Sequence, residues 1–85
     1  MATGRASLQT TIRFLIPPDA VVRAEIFDAA GRHVRKLLDG SRNMGVHELQ
    51  WDGRDDNGDA VASGIYLFRL STGQDVTAAR IIRVH

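Results

Sequence analysis

Short segments in which apolar and polar residues alternate constrain the fold of this chain more than any other feature. Residues 21–27, VVRAEIF, place Val22, Ala24 and Ile26 on one side and Arg23 and Glu25 on the other. Alternation with a period of two is typical of a β-strand that buries one face. Such segments recur about every ten residues, and no helical period of useful length interrupts them.

Turn-forming residues separate these segments and indicate antiparallel connections. Pro17 and Pro18 end the segment TTIRFLI at 10–16, because proline donates no hydrogen bond to a neighbouring strand. Asp28 and Gly31 occupy the first and fourth positions of a predicted type I turn, which indicates a hairpin. The sequence therefore predicts an all-β, antiparallel sandwich of about seven strands, of the immunoglobulin or fibronectin type III kind, with a small open barrel as the alternative.

Several segments carry more specific predictions. Leu37 and Leu38 are adjacent in the segment RHVRKLL, so a bulge or a change of register is expected there, with one or both leucines buried. The segment GIYLFRL at 64–70 is almost continuously apolar, which predicts a central strand covered on much of both faces. Arginines that alternate with apolar residues are expected on solvated sheet faces: Arg13, Arg23, Arg35, Arg69, Arg80 and Arg83.

Length, charge and composition exclude several classes of function. A chain of 85 residues forms one core, so we assign one domain to residues 9–85 and a linker or disordered start to residues 1–8. The formal net charge of +1 provides no basic field for nucleic acid. The apolar runs are too short for membrane insertion, and the absence of cysteine excludes disulfides, thiolate zinc sites and thiol catalysis.

An acidic segment at 51–66, WDGRDDNGDAVASGIY, raises the question of a metal site. An EF-hand match that begins at Asp55 fails, because Ala60 and Tyr66 stand where the calcium loop requires glycine and glutamate. A looser calcium site is an alternative, with these candidate ligands: Asp52, Asp55, Asp56, Asn57 and Asp59. The run Asp-Asn-Gly-Asp is also common in turns, so we expect the segment to act mainly by its conformation, with no cofactor.

Residues at both ends of this segment are expected to fix it to the core. Trp51 and Tyr66 bracket it, Val61 is expected to pack as a small plug, and Gly64 is expected to let the next strand begin close to its neighbour. Trp51, Tyr66 and Phe68 are also compatible with a carbohydrate-stacking platform, although a small core needs its few aromatic side chains for packing.

Enzymatic activity is not expected. Paired-carboxylate catalysis needs a cleft and an acid whose pKa is raised by burial, and an exposed turn provides neither. The histidines His33, His47 and His85 lack metal-ligand spacing, and no serine lies in a nucleophile-elbow motif. His47 shares a face with Leu49, which is typical of a packed or rim histidine.

Three motifs occur in an order that resembles a known family: IFDAAGRHV at 26–34, WDGRDDNG at 51–58 and SGIYLFRL at 63–70. Residues 10–84 resemble the immunoglobulin-like domain of the flagellar hook-capping protein superfamily, and are equally similar to the C-terminal sorting domains of cargo of the type IX secretion system. The resemblance implies a seven-stranded sandwich without catalysis, usually at the C-terminus of larger bacterial extracellular proteins. The Asn-Pro pair that commonly precedes the first strand and the usual lysine-rich tail are missing here.

The resemblance implies export, surface attachment or structural scaffolding, outside the cell or at its surface, through secretion or assembly machinery or other domains of a parent protein. A terminal edge strand has unpaired backbone groups, so these residues are the candidate partner-binding set: Arg80, Ile81, Ile82, Arg83 and Val84. A last strand that only completes the sheet is the alternative. Two other functions stay open: a calcium- or carbohydrate-binding accessory domain, and an assembly domain that associates with itself through sheet edges.

Overall fold

Six β-strands form two antiparallel sheets in the structure, a computed structural model that describes residues 10–18, 20–73 and 75–84. The strands are β1 (Thr10–Ile16), β2 (Val21–Asp28), β3 (His33–Ser41), β4 (Gly45–Trp51), β5 (Gly64–Thr72) and β6 (Asp75–Arg83). β1 pairs with β4 in the smaller sheet, and the larger sheet has the order β3-β2-β5-β6. The predicted all-β antiparallel sandwich is confirmed, with six strands in the described residues where about seven were expected. The predicted linker at residues 1–8 lies outside those residues.

The core lies between the two sheets and comes from the period-two faces of the strands. Val22, Ala24 and Ile26 are fully buried in β2, as the alternation of that segment predicts. The other buried apolar side chains come from both sheets and the link after β1: Ile16, Ala20, Leu38, Trp51, Tyr66, Phe68, Leu70 and Ile81. Trp51 is the largest fully buried side chain, so the end of β4 anchors the core.

The β2–β3 hairpin contains the predicted bulge. Ala24 pairs with Leu38 but Glu25 pairs with Lys36, so Leu37 is an extra residue in β3. Leu38 is buried and Leu37 is half-buried. The adjacent leucines therefore mark a register change, as expected.

β5 is a central strand, between β2 and β6, but only one of its faces is covered. Tyr66 and Phe68 point into the core, whereas Ile65 and Leu67 are 45% and 39% exposed. The prediction of cover on both faces is wrong, because the smaller sheet packs on one face and nothing within the described residues covers the other. The apolar residues of this run that point away from the core therefore form an exposed apolar surface.

The smaller sheet pairs β1 with β4 through matched side chains. Arg13 lies opposite Glu48, with Arg13 Nη2 2.8 Å from Glu48 Oε2. Phe14 lies opposite His47, and the two rings stack with centroids 6.0 Å apart. His47 Nε2 also lies 2.7 Å from the carbonyl oxygen of Asn43. His47 is therefore a packed histidine, as expected.

Candidate functional site

The acidic segment contains a turn conformation that the chain uses twice. Asp55 Oδ1 accepts hydrogen bonds from the backbone N of Asn57 (2.9 Å) and Asp59 (3.0 Å). Gly58 N donates to Asp55 O (3.0 Å), and Asp55 N donates to the carbonyl oxygen of residue 59 (2.9 Å). The same four bonds close the turn at 28–32, and the fourth-position glycine of each turn has a φ of 87°. The pattern D-x-x-G thus specifies one turn at both places, because aspartate accepts two amides and glycine tolerates positive φ.

Asp56 attaches the second of these turns to the outer edge of β3. Asp56 N donates to Val34 O (3.0 Å), and Asp56 Oδ1 accepts a hydrogen bond from Lys36 N (2.9 Å). Arg35 holds the same loop, with Nη1 3.1 Å from the carbonyl oxygen of Arg54. These bonds satisfy backbone groups that an edge strand would otherwise expose. The acidic loop therefore covers one edge of the larger sheet.

Three of the five candidate calcium ligands have carboxylates that bond to backbone amides; the five are Asp52, Asp55, Asp56, Asn57 and Asp59. Asp52 Oδ1 accepts a hydrogen bond from the backbone N of residue 54 (3.1 Å), and the carboxylates of Asp55 and Asp56 bond to the turn and to β3. Within residues 10–18, 20–73 and 75–84, no group of three or more histidine, aspartate or glutamate side chains is placed to hold a metal ion. The arrangement is that of a turn closed by its own carboxylates.

Two aromatic side chains hold the ends of the acidic segment, as expected. The rings of Trp51 and Tyr66 meet edge to face with centroids 5.4 Å apart. Trp51 Nε1 donates to Arg54 O (2.9 Å), and the Tyr66 hydroxyl donates to Ala62 O (2.7 Å). Both rings and that of Phe68 are buried, so their faces are not open to a sugar and the carbohydrate-platform interpretation is wrong.

The close approach expected at Gly64 occurs instead at Gly53. A Cβ on Gly64 would meet no atom within 4 Å, so that prediction is wrong. Gly53 has a φ of 77°, and a Cβ there would collide with the guanidinium group of Arg83. The chain therefore needs glycine at position 53 both for its backbone conformation and for space.

Arg83 is buried, although alternation in the sequence predicted an arginine on a solvated face. It is 4% exposed, and its Cζ lies 5.3 Å from the centroid of the Trp51 ring. Its Nε has no hydrogen-bond partner among the described residues. The prediction is wrong because position 83 lies on the same inward face as Ile81, where the Trp51 ring takes the guanidinium as a cation–π partner.

β6 forms the second edge of the larger sheet, and the candidate partner-binding residues divide between its two faces. Ile81 and Arg83 point into the core and are 7% and 4% exposed. Arg80, Ile82 and Val84 are exposed on the outer side. A partner at this edge would therefore meet three of the five candidate side chains, together with the outer backbone of β6, which has no strand neighbour on that side among residues 10–18, 20–73 and 75–84.

The outer face of the larger sheet adds apolar residues that the sequence pattern did not place on a surface. Ile65 lies opposite Ile82, and Leu67 lies opposite Arg80. Val76, on the same face of β6, is 63% exposed. The signal was present in β5, because positions 65 and 67 alternate with the buried ring positions, but periodicity does not show whether a second layer covers a face.

Comparisons with known proteins agree with this fold. A model of the FlgD Ig-like domain matches residues 3–75. The chain belongs to the FlgD Ig-like domain family. A solved structure of FlgD from P. aeruginosa is similar to it, with a TM-score of 0.66 and 23% identity. That match covers 85% of this chain and 57% of the FlgD chain, and at this identity it shows the shared fold.

The resemblance to the hook-capping superfamily is thus confirmed, whereas neither match supports the similarity to type IX sorting domains. A search of curated proteins finds no significant match. In the parts of the FlgD-like chain that the structure describes, no helix is long and apolar enough to cross a membrane.

Proposed function

We propose that this FlgD-like domain is a non-catalytic structural module of a larger exported bacterial protein, which acts through protein contacts in the assembly of a flagellar hook-related structure. The match to the FlgD Ig-like domain over residues 3–75 carries the proposal. The second FlgD comparison agrees with a module inside a longer chain, since this chain spans 57% of the FlgD structure that it matches.

The surface of the larger sheet supports a role in protein contacts. Ile65, Leu67 and Ile82 form an exposed aliphatic area beside Arg80. An apolar centre with arginine at its border is typical of protein interfaces. β6, an edge strand of the larger sheet among the described residues, lies next to this area, so a partner has both a face and an edge to bind.

The polar side chains that a catalytic function would need have structural tasks. Asp55 and Asp56 bond to backbone amides, and His47 stacks on Phe14. His33 lies 3.1 Å from Glu25 on the outer sheet face, where the two form a cross-strand pair. These contacts favour a structural module over an enzyme.

A domain replacement tests the proposal. The immunoglobulin-like part of P. aeruginosa FlgD is exchanged for this chain, and hooks are counted by electron microscopy in a strain that lacks its own FlgD. We expect the chimaera to be exported and to restore hooks in part. A matched chimaera with Trp51→Ala, which removes the core anchor, should restore none. A folded, exported chimaera that never supports hooks would contradict the proposal.

The sorting role implied by the type IX resemblance is a separate proposal with its own experiment. The full chain is fused behind a reporter with an export signal in a bacterium that has an active type IX system, beside a fusion that lacks residues 78–85. Reporter at the surface or in the medium only with the full chain would make the last strand a sorting signal. Reporter held in the periplasm by both fusions would remove that role and leave the assembly role standing.

A further inference from the structure

The two edges of the larger sheet differ in how they are protected. The β3 edge has a bulge at Leu37 and is covered by the acidic loop through Asp56. β6 pairs with β5 over nine residues in a continuous register without a bulge, and it has a strand neighbour on one side only within the described chain. Bulges and covering loops are devices that prevent edge-to-edge pairing, and in the described part of the chain β6 has neither.

The exposed aliphatic side chains of β6 lie at equal distances before and after its central residue, Ala79. If two copies of β6 ran antiparallel about a twofold axis at Ala79, Val76 would lie opposite Ile82 of the second copy. Val76 and Ile82 are 63% and 67% exposed and share the outer face. Pairing would therefore bring two exposed aliphatic side chains into contact twice, once on each side of the axis.

The charged side chains do not oppose this centre. Arg80 would lie opposite the small side chain of Ala78 rather than opposite the second Arg80, and Arg83, opposite Asp75, is buried within its own chain. The whole strand, Asp75–Arg83, would take part, because Ala79 is its midpoint. A directly opposed antiparallel pair has Cα atoms only about 4.5–5.5 Å apart, and an alanine at the axis leaves room for that approach.

Neighbouring registers are less favourable. A twofold axis at Arg80 would place the two Arg80 side chains directly against each other, and like charges in direct opposition destabilise a pair. An axis at Ala78 would place Val76 against Arg80 and carry Ile82 beyond the paired segment. A register shifted by a single residue between the copies would bring inward and outward side chains to the same face.

We propose that two copies of this chain associate through β6, antiparallel about Ala79, into one continuous eight-stranded sheet. The partner of this edge is a second copy because its exposed aliphatic side chains, Val76 and Ile82, match each other about the centre of the strand. The inference does not depend on the flagellar role: a monomeric chain would overturn it and leave the hook-assembly proposal untouched, whereas failure of the FlgD chimaera would leave the dimer standing.

A single introduced cysteine tests the register directly, since the chain has no cysteine of its own. At the axis, Ala79→Cys places two sulfurs across a pair whose Cα separation lies within the roughly 4.4–6.8 Å that a disulfide spans. The matched control is Thr77→Cys, an exposed position on the same face, whose two copies would be displaced by about four residues, or roughly 13 Å along the strands. We expect a disulfide-linked dimer of Ala79→Cys under mild oxidation and a monomer of Thr77→Cys.

Charge exchange provides a second test that leaves the fold intact, because both positions are exposed. Val76→Glu alone, or Ile82→Lys alone, is expected to raise the dimer dissociation constant about tenfold or more in sedimentation experiments. The double variant is expected to recover dimerisation, because each introduced carboxylate would face an introduced ammonium group across the axis. Within one chain the two positions are about 20 Å apart, so recovery reports contact between copies. Val46→Glu, at a similarly exposed valine on β4, should leave association unchanged.

Two results would overturn the proposal. One is a native chain that stays monomeric up to about 1 mM in sedimentation velocity experiments. The other is a dimer in which Ala79→Cys crosslinks no faster than Thr77→Cys and the charge exchange gives no recovery, which would place association on another surface.

Discussion

Gly53 packs directly against the guanidinium group of Arg83, so the acidic loop and the end of β6 share one contact. Arg83 in turn lies over the ring of Trp51, at the end of β4. The end of β6 therefore meets residues 51–53, which lie much earlier in the sequence, at a buried arginine. In the short motif W-D-G, the tryptophan provides the ring that contacts Arg83, and the glycine provides the space for the guanidinium group.

Gly53→Ala is expected to destabilise the fold by at least about 2 kcal/mol. The substitution forces an alanine to a positive φ, which costs about 1–2 kcal/mol, and also displaces Arg83 from its place beside Trp51. Gly58→Ala is the matched control, because Gly58 also has a positive φ but has open space around it. Urea unfolding of both variants measures the difference. Equal losses of unfolding free energy in the two variants would mean that the contact between Gly53 and Arg83 contributes nothing to stability.

Trp51→Ala is expected to lower the free energy of unfolding by about 3–5 kcal/mol, because it leaves a large cavity and frees the start of the acidic loop. Leu15→Ala serves as the control, since Leu15 is 68% exposed and should change stability little. Denaturant titration followed by circular dichroism measures both. Unchanged stability of Trp51→Ala would disprove the role assigned to this ring.

The features that the sequence predicted well are those set by local pattern. Alternation in β2 located Val22, Ala24 and Ile26 in the core, and the adjacent leucines marked a bulge. The turn at Asp28 followed from the positions of aspartate and glycine alone. Each of these depends on residues a few positions apart, where propensity and hydrogen-bond geometry decide the structure.

The features that the sequence did not predict depend on contacts between distant segments. Arg83 has the chemistry of a surface residue, and its buried place over the Trp51 ring depends on a contact between distant segments. Ile65 and Leu67 on the outer face of β5 have no second layer over them in the part of the chain that the structure describes, and periodicity does not report this. The sequence also did not predict that Asp56 binds the β3 edge, because its partners lie about twenty residues earlier in the chain.

Asp56→Ala is expected to detach the acidic loop from β3. The backbone amide of Lys36 donates to the Asp56 carboxylate, so its hydrogen exchange should accelerate about fivefold to tenfold, the effect of one lost hydrogen bond. Amides of β5 should keep their protection. Asp59→Ala is the control, because Asp59 bonds to Asp55 through its backbone, which the substitution keeps. Unchanged exchange at Lys36 would mean that the loop does not protect this edge.

Stability is expected to fall in acid partly through Asp28. Hydrogen bonds from the Arg32 and Ala30 amides and the Arg32 guanidinium favour the carboxylate and hold the pKa of Asp28 below its usual value of 3.8. A group whose pKa is lowered by folding stabilises the fold above its unfolded pKa, and that contribution is lost as pH falls through the folded pKa. Asp28→Asn keeps an acceptor oxygen but does not titrate, so its stability should fall less steeply than that of the native chain below about pH 4.

The pH dependence is measured by thermal unfolding of both chains between about pH 2 and pH 7. An Asp28→Asn profile parallel to the native one would show that the turn carboxylate does not contribute to acid sensitivity.

Calcium is expected to leave the melting temperature unchanged. The carboxylates of Asp52, Asp55 and Asp56 accept hydrogen bonds from backbone amides, and a cation would have to displace these bonds before it gained ligands. A site occupied at about one hundred times its dissociation constant would add about 2.7 kcal/mol, which corresponds to a rise of about 10 °C or more for a domain of this size. Melting with and without millimolar calcium distinguishes the outcomes. A saturable rise that Asp55→Asn abolishes would make the acidic loop a cation site and favour the accessory-domain function over the structural one.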